Sequence, residues 1–591
     1  MTKFGAGWTT AGMLASSCAA MIASMVPAGA QVAPPPTAAP IPPRSALPTR
    51  EDLRPVPQAP EGGAPRLSVV GDIERSPCPL ADPKFDGITV PVNSVSFNNL
   101  KGATAEEMRP AWASYAGTRQ PVSVLCEIRD AAATILREKG YLAAVQVPTQ
   151  RIENGEIRME MLYARVTTIR ARGETKGGDG IIARYLGRLN DEEIFDRNRA
   201  ERYLLLARDL PGYTVQLTLK PAGTGPGDLI GEVTVVRLPY AVDATVQNLS
   251  SRAAGRWGGQ VRAQFFGLTG MGDATSIAYY TTSDFQEQRI LQLGHEFRLG
   301  SEGLKIAGQF THAWTDPDIG AVGNPLTVRT IFATLEASYP IVRRQSRSLS
   351  VGGGMDLVNQ RVDFAGVPLT RDRLRVAFAR LSGEAIDLRS QSPRWRAAGT
   401  VEVRKGLTIL DATDCGTQCT LGLGATRGDA SGALVRFSGV GEVALGKFAA
   451  LSIAPRAQFA FDPLFAFEGY TGGNYTIGRG FDPGTISGDS GIGASVELRS
   501  SGFRLGRDNG LMLRPFLFAD VADAWNKRPE LTGPARGLLS LGGGLRAELS
   551  NRLRLEGTLA VPTDTWGITT ERSVRFLISL TTRLLPWSAR P

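Results

Sequence analysis

The feature that most constrains this 591-residue chain is a long region, residues 240–584, built of short segments that alternate apolar and polar side chains. In one segment Ile306 and Phe310 fall on one face of an extended strand, whereas Lys305 and Gln309 fall on the other. Clusters of Gly, Asp, Asn and Pro separate the segments, and such clusters are typical of turns. The region therefore predicts a series of antiparallel strands.

Alternating faces of this kind suit either a soluble sandwich or a transmembrane barrel. The barrel is favoured because no helical pattern interrupts the series and because the second face carries charged or polar residues. A membrane strand needs about 9–11 residues, so this region, at about 21 residues per strand and connection, predicts about sixteen strands. No run of about eighteen apolar residues follows residue 30, which excludes helical spans. A closed barrel satisfies every backbone group in lipid.

An export signal at residues 1–30 also favours the barrel. A basic start at Lys3 precedes an apolar stretch over 11–26 and a small-residue cleavage site at 28–30. Cleavage there would send the chain out of the cytoplasm and remove Cys18. Lipidation of Cys18 is an alternative, but the upstream leucine stands one place too far away for that pattern.

Residues 31–75 are rich in proline, which lacks the amide hydrogen and fixes φ, so this segment predicts a flexible linker. Within it, Thr49 is a suitable N-cap for a short helix, which Pro55 would end after a few residues. The sequence leaves open whether a helix from this segment plugs a pore.

Two modules with the same order of elements (strand, helix, helix, strand, strand) lie between the linker and the barrel region. The first, residues 76–163, has alternating apolar residues at 88–92, a helix start near Thr104, and helical spacing of apolar residues over 125–136 that Gly140 ends. Two strands joined by an Asn-Gly turn complete it.

The second module, residues 164–239, repeats this order. It predicts a strand at 166–169, helices at 181–189 and 199–210, and strands at 213–219 and 231–237. The pair resembles tandem polypeptide-transport-associated (POTRA) domains, and the stretches 148–157 and 200–212 are similar to those of the two-partner secretion transporters. The resulting fold class is α+β tandem POTRA domains followed by an all-β transmembrane barrel.

A Gly-rich segment of the barrel region surrounds a single arginine, Arg479. The run Arg479-Gly480-Phe481 resembles the Val-Arg-Gly-Tyr/Phe motif in the sixth extracellular loop of two-partner secretion transporters and related barrel-assembly proteins. The match departs at Gly478, where the family usually has Val, and this departure predicts a looser loop tip.

A second motif follows about forty residues later. Phe518 and Asp520 resemble the Phe-x-Asp-x-Gly motif of a late barrel strand, with Ala522 where Gly is usual. The resemblance implies that the loop folds back into the lumen, where Arg479 meets Asp520 on the inner wall. A guanidinium offers a rigid fork that a carboxylate binds through two hydrogen bonds.

Either motif alone is weak, because an arginine in a Gly-rich loop is usually solvated and an inward Asp is ordinary in a barrel. Their order, downstream of two modules of the expected type, carries the resemblance. Similar stretches at 338–344, 404–407 and 464–468 extend it over almost the whole chain after the signal. The family often ends on an aromatic residue, whereas this chain continues with a short extension, residues 585–591.

Four cysteines would remain after signal cleavage, an even number in a compartment where disulfides persist. We expect Cys78 and Cys126 to join the segment leading into the first module to its second helix. Cys415 and Cys419 are separated by three residues in one loop, which favours a loop disulfide. A zinc site there would need two further ligands, and no nearby His supplies them.

The resemblance implies an outer-membrane pore whose periplasmic modules recognise an exported partner protein and secrete it, with a haemolysin or an adhesin as the candidate partners. An assembly insertase of the same superfamily is the alternative, but such proteins carry more than two modules. A solute porin would have no use for the modules or for the paired motifs. We expect contact with outer-membrane lipid and a monomeric protein.

No enzymatic activity, metal site or cofactor is expected. The chain has two histidines, His295 and His312, each inside an alternating strand pattern, and no catalytic constellation. Its formal charge of +9 raises the question of nucleic-acid binding, but Lys and Arg are scattered singly rather than clustered, which argues against it.

Overall fold

The structure, a computed structural model, describes most of the chain after residue 77 and five residues before it. The described residues are 48, 50–53, 78–85, 87–174, 179–189, 194–224, 227–320, 325–388, 393–413, 428–506, 510–529, 533–549, 552–570 and 572–586. The proposed signal and the cysteines Cys415 and Cys419 lie outside them. Among the described helices, none has the length and apolar character needed to cross a bilayer.

The first module is a small sheet covered by one long helix. The elements up to residue 163 are α1 (Arg50–Leu53), β1 (Thr89–Val92), β2 (Ser94–Asn98), α2 (Ala105–Met108), β3 (Thr118–Pro121), α3 (Val124–Lys139), β4 (Ala143–Gln146) and β5 (Glu156–Tyr163). The sheet has the order β2-β5-β4, with β2 parallel and β4 antiparallel to β5. The strand expected at 88–92 is β1, which pairs with β3 in a separate ribbon.

Local sequence explains the helix ends of this module. Thr104 and Glu107 form a reciprocal capping box at the start of α2. The ammonium group of Lys139, hydrogen-bonded to Glu107, lowers the pKa of that carboxyl to about 2. Gly140, at φ 103°, ends α3 in the left-handed region that favours glycine. A disulfide between Cys78 and Cys126 joins the segment before β1 to the first turn of α3.

The second module repeats the plan. Its elements are β6 (Arg165–Glu174), α4 (Asp179–Gly187), α5 (Arg197–Arg208), β7 (Tyr213–Pro221) and β8 (Asp228–Arg237). The sheet has the order β6-β8-β7, again with one parallel and one antiparallel pair. Its core joins both helices to the sheet through buried residues such as Tyr185, Leu204 and Val233.

The rest of the chain forms a closed antiparallel barrel. Its strands are β9 (Tyr240–Gln247), β10 (Gly258–Phe266), β11 (Ala274–Thr282), β12 (Gln288–Leu299), β13 (Leu304–Thr315), β14 (Leu326–Arg343), β15 (Arg347–Phe364), β16 (Val367–Ile386), β17 (Trp395–Gly406), β18 (Ala433–Leu445), β19 (Ala449–Ala460), β20 (Tyr470–Gly472), β21 (Ile486–Gly488), β22 (Ser490–Ser500), β23 (Phe503–Leu505), β24 (Leu511–Trp525), β25 (Arg536–Leu549), β26 (Leu553–Trp566) and β27 (Arg575–Leu585).

Sixteen long strands in the described residues make the barrel wall, which confirms the expected number. The short β23 extends one hairpin beside β24, and β20 and β21 pair in a loop. The barrel closes between β27 and β9 through six residue pairs. Because the second module ends just before β9, the modules stand at one end of the barrel, which we name the module end; the other is the loop end.

Alternation along each strand separates an apolar outside from a polar lumen. Leu335, Leu517 and Phe576 are among the exposed apolar side chains of the outer surface. Neighbours one position away point inward, and buried lumen residues include Thr311, Asp356 and Glu497. Exposed apolar groups outside and charges inside are the reverse of a soluble protein and match a cylinder surrounded by lipid.

Helix α5 fastens the second module to the turns at the module end. Arg343 donates two hydrogen bonds to the carboxylate of Asp209, at 2.6 and 2.7 Å. The Tyr203 hydroxyl donates to Glu302 at 2.8 Å, and burial raises its pKa. Arg202 donates to the carbonyl of Pro340 at 3.0 Å. The module therefore meets the barrel through several directed contacts.

Candidate functional site in the barrel lumen

A long loop between β19 and β22, residues 461–489, folds back into the barrel; we name it the lumen loop. Its hairpin, β20 and β21, packs against wall strands, and Tyr470, Ile477 and Phe481 form a buried cluster with wall residues of β24 and β25. A loop at the end of a strand pair would ordinarily be exposed to solvent. Here its apolar side chains are covered by the barrel interior.

Arg479 is the centre of the loop's attachment, which we name the loop anchor. Its Nε and Nη2 donate to the two carboxylate oxygens of Asp520 at 3.0 and 2.8 Å, and its backbone N–H donates to Asp520 at 2.9 Å. Nη1 donates to Glu497 at 3.0 Å and Nη2 to Ser495 at 2.8 Å. Asp520 is 1% exposed. Such charge-assisted, two-pronged pairs hold a fixed geometry.

The neighbouring motif residues complete this contact. The Arg479 guanidinium carbon lies 3.5 Å from the centroid of the Phe518 ring, which is a close cation–π stack. Gly480 donates its N–H to Ser540 at 3.3 Å, and a Cβ added at Gly480 would lie 2.8 Å from the Cβ of Ser540 and 2.9 Å from the nitrogen of Pro562. Only glycine fits this approach of loop to wall.

The loop tip is packed rather than loose. Gly478 has φ 123°, a conformation that favours glycine, and a Cβ there would lie 2.6 Å from a methyl group of Leu538. The expectation of a looser tip is therefore wrong: the residue that departs from the family motif suits the backbone that the loop adopts.

Asp482 fastens the same loop near the closing seam of the barrel. Its carboxylate lies 2.9 Å from Arg575 on β27 and 3.5 Å from Arg256 in the connection after β9. It also accepts the backbone N–H of Arg252 at 3.2 Å. The loop thus touches both sides of the seam between the last and first strands.

Helix α1, the short helix that the sequence allowed after Thr49 within the linker, lies inside the lumen. Arg50 is 2% exposed, and its guanidinium donates to Asp356 at 2.5 Å and to both oxygens of Glu468 at 3.3 Å. We name this contact the helix anchor. Glu468 belongs to the lumen loop, so the helix is bound both to the barrel wall and to the loop.

The two carboxylates of the helix anchor also have a second cation, Arg404 of β17. Arg404 donates to Glu468 at 2.8 and 3.0 Å and to Asp356 at 2.8 Å, and its side chain is fully buried. Thr334 donates to the other oxygen of Asp356 at 2.7 Å. These acids are therefore paired whether or not Arg50 is present.

The rest of α1 makes polar and apolar contacts with the wall. Glu51 is paired with Arg456 of β19, and the carbonyl oxygen of Leu53 accepts a hydrogen bond from Gln292 of β12 at 2.9 Å. The Leu53 side chain is fully buried in a cluster with Phe332 and Ile290. Sequence analysis missed this site; the Thr49 capping signal was its only trace.

The remaining expected site residues lie in other parts of the molecule. Cys78 and Cys126 are bonded to each other in the first module. Among the described residues, no group of three or more His, Cys, Asp or Glu side chains has a geometry that would hold a metal ion. The functional features that the structure brings together are therefore the two anchors in the lumen.

Comparison with known proteins agrees with this architecture. The model of the family described as haemolysin secretion/activation protein ShlB/FhaC/HecB matches residues 232–547, more than half of the chain. A sequence comparison with curated proteins finds no match.

The solved structures with a similar fold include two bacterial proteins. One is CdiB from Escherichia coli, with a TM-score of 0.72 and 16% identity over 87% of this chain and 94% of that one. The other is CdiB from Acinetobacter baumannii, with a TM-score of 0.62 and 16% identity over 87% and 91% of the two chains. At this identity the likeness concerns the fold alone.

Proposed function

The chain belongs to the haemolysin secretion/activation protein family ShlB/FhaC/HecB, and we propose that it exports one partner through its own lumen, with α1 as the part that leaves the lumen and the lumen loop as a part that stays fastened to the wall. Membership of this family supports an outer-membrane pore of two-partner secretion with its modules on the periplasmic side and a secreted exoprotein as its partner. The module end is therefore periplasmic and the loop end extracellular.

The observation that carries the proposal is that the polar lumen is occupied by two segments with separate ionic fastenings, α1 through Arg50 and the lumen loop through Arg479. A porin for small solutes needs an open aqueous channel. A pore that must pass an extended polypeptide and stay closed otherwise needs an obstruction that can move. Helix α1 is suited to that role, since its departure leaves Asp356 and Glu468 paired with Arg404.

We assign the parts of the chain as follows. Residues 1–30 are the signal peptide, 31–75 the Pro-rich linker, 76–163 and 164–239 the two POTRA domains, 240–584 the barrel, and 585–591 a C-terminal extension. The POTRA domains would capture the partner by adding its extended segment to an exposed sheet edge. Arg479, Gly480 and Phe481 would hold the lumen loop to the wall motif Phe518 and Asp520.

Finer features of the function belong to the same proposal. The partner would be a haemolysin or an adhesin, and the chain would act as a monomer surrounded by outer-membrane lipid, without catalytic activity, cofactor or nucleic acid. Folding of the partner outside the cell would give the movement its direction. Two modules in the described chain support secretion of a single partner over general assembly of membrane proteins.

Export can be tested in a bacterial host that lacks a related pair. The neighbouring genes are searched for a large exported protein, the chain is expressed together with that candidate, and the medium and periplasm are assayed for it. We expect it in the medium only when the chain is present and in the periplasm otherwise. Equal release without the chain would refute the proposal, and loss of other barrel proteins on its removal would favour the insertase.

A further inference from the structure

One part of the lumen wall differs from the rest. On β10–β13 the periplasmic half of the lumen contains a cavity of about 300 Å³. Small or uncharged side chains of these strands line much of it: Gln264, Ser276, Ala278, Gln292, Gly294, Ala307 and Gln309. We name the inner face of β10–β13 the amide wall.

Charged residues at the cavity are few and mostly engaged in ion pairs. Glu296 is paired with Arg298 at 2.8 Å, and Glu336 of β14 with Arg380 at 3.1 Å. Arg262 of β10 also lines the cavity. The wall from β14 to β26 instead carries chains of ion pairs, such as Arg404 with Asp356 and Arg546 with Glu497. Those charges hold neighbouring strands and the lumen loop together.

Carboxamides give the amide wall a chemistry of its own. Each Gln side chain offers a hydrogen-bond donor and an acceptor, which match the C=O and N–H groups of a peptide backbone. Such hydrogen bonds do not depend on the side chains of the bound peptide. Gln292 already uses its Nε2 in this way, since it donates to the main-chain carbonyl of Leu53 at 2.9 Å. The Nε2 of Gln309 is buried and has no hydrogen-bond partner among the described residues.

Small residues supply the room that such a ligand requires. A chain that lies on the inner face of a sheet is held away from it by the side chains of that face, since packed sheet faces lie about 10 Å apart, so short neighbours are needed for wall side chains to reach its backbone. Ser276, Gly294 and Ala307 stand between the glutamines on this face. Pro211 of the second module also lines the cavity, so the amide wall begins where that module meets the barrel.

We propose that the amide wall is a binding track for the main chain of an extended, unfolded polypeptide segment, and that Leu53 of α1 occupies one of its donors at rest. This inference rests on the proposed function, because it assumes that a polypeptide crosses the lumen. The inference specifies that the polypeptide follows strands β10–β13. It also specifies that the wall binds the polypeptide through backbone amides rather than through charged side chains.

Photo-crosslinking with a defined probe tests the track. A photo-reactive amino acid is placed at Ser276 on the amide wall or at Ser438, a serine on the lumen-facing side of β18, in the full-length protein. The probe is a synthetic thirty-residue peptide of Asn, Ser, Gly and Thr added to purified protein. We expect at least fivefold more crosslinked peptide at Ser276. Equal or greater crosslinking at Ser438, or none at either position, overturns the proposal.

A second measurement distinguishes binding of the peptide backbone by the amide wall from simple occupancy of an open cavity. In planar bilayers the same peptide is added on the periplasmic side, and the duration of current blockades is measured for Gln309→Leu and for the control Gln360→Leu, a lumen carboxamide of β15 outside the track. We expect Gln309→Leu alone to shorten the blockades at least threefold. Equal blockade durations in the two variants would contradict backbone recognition. So would blockades by polylysine or polyglutamate of the same length that last longer than those by the uncharged peptide.

The two proposals fail differently. Absence of partner export by the unmodified chain contradicts the proposed function. Intact export together with crosslinks to the β18 side contradicts only the track.

Discussion

The loop anchor and the helix anchor use the same chemistry on different parts of the barrel wall. In each, one arginine donates to two carboxylates in a lumen shielded from bulk water. They differ in what remains when the arginine leaves. Within the described residues Arg479 is the one cation paired with Asp520, whereas Asp356 and Glu468 keep Arg404. The first contact is costly to break and the second is not.

Chain connectivity reinforces this difference. The lumen loop is held between β19 and β22, so both of its ends are fixed by the barrel. Helix α1 precedes the first module and is separated from it by residues 54–75 of the sequence. An arginine on a doubly held loop serves as a permanent fastening. An arginine on a segment outside the barrel strands, bound to acids that keep other arginine partners, serves as a removable one.

The largest effect is expected for Arg479→Ala. Removal of one partner of a buried pair leaves an uncompensated charge and costs about 3–5 kcal/mol, so the lumen loop should leave its place and secretion should fall at least about tenfold. Secreted partner is measured in the medium. Barrel insertion, measured by heat-dependent migration in gels, should persist, because the strand ladders do not involve this side chain.

Arg479→Lys is the matched control for charge. Lysine keeps the positive charge but lacks the planar fork and the stacking surface that meets Phe518. We expect partial secretion from this variant. Normal secretion by Arg479→Ala would remove the distinction between the two anchors.

The next effect is expected for Gly480→Ala. The added Cβ would approach the wall backbone at Pro562 to 2.9 Å, so the loop must move away from the wall at a cost of about 1–3 kcal/mol. Secretion should fall less than in Arg479→Ala, and protease sensitivity of the loop should rise. Gly308→Ala is the control, since nothing lies within 4 Å of a Cβ at that position. Equal phenotypes of the two variants would show that close packing at Gly480 is unimportant.

A smaller and opposite effect is expected for Arg50→Ala. Because Arg404 still pairs with Asp356 and Glu468, and Arg436 still pairs with Glu468 at 3.3 Å, loss of Arg50 removes a net contribution of about 1–3 kcal/mol from the seated helix without leaving either acid unpaired. The open fraction in single-channel recordings should rise at least about threefold, while secretion stays at or above its normal level.

Arg404→Ala tests whether Arg404 is the reason that loss of Arg50 has a small effect. Arg404 also binds Glu402 of its own strand at 3.0 Å and is fully buried, so its removal should destabilise the wall rather than merely open the pore. Lower thermal stability than Arg50→Ala is expected. If Arg50→Ala instead abolished secretion, α1 would be a structural part and not a removable plug.

Much of the fold could be predicted from the sequence because strands, turns and caps are local signals. The alternation of polar Lys305 and Gln309 with apolar Phe310 predicts which face of the strand is polar. Thr104 with Glu107 predicts the start of a helix. The pair of Arg479 and Asp520 was proposed through a family resemblance. Nothing local to either residue places them together.

The position of α1 could not be predicted in this way. The helix anchor joins residues 306 and 418 positions apart in sequence, and the four-residue helix lies in a segment whose composition indicates a linker. Its stability comes from acids on distant strands and from a lumen that exists only after the barrel closes. The amide wall was missed for a similar reason, because glutamines on separate strands form one surface only through the register of β10–β13.

The smallest effect is expected for a third arginine that binds a carboxylate through two hydrogen bonds, at a site outside the lumen. Arg343 donates to Asp209 at 2.6 and 2.7 Å, a geometry as good as that of the loop anchor, but the Asp209 side chain is 40% exposed. Water replaces the lost partner there, so Arg343→Ala should cost only about 0–1 kcal/mol and leave secretion within about twofold of normal. Thermal stability and secretion are compared with those of Arg479→Ala. A loss as large as in that variant would mean that fork geometry, and not burial in the lumen, gives the loop anchor its strength.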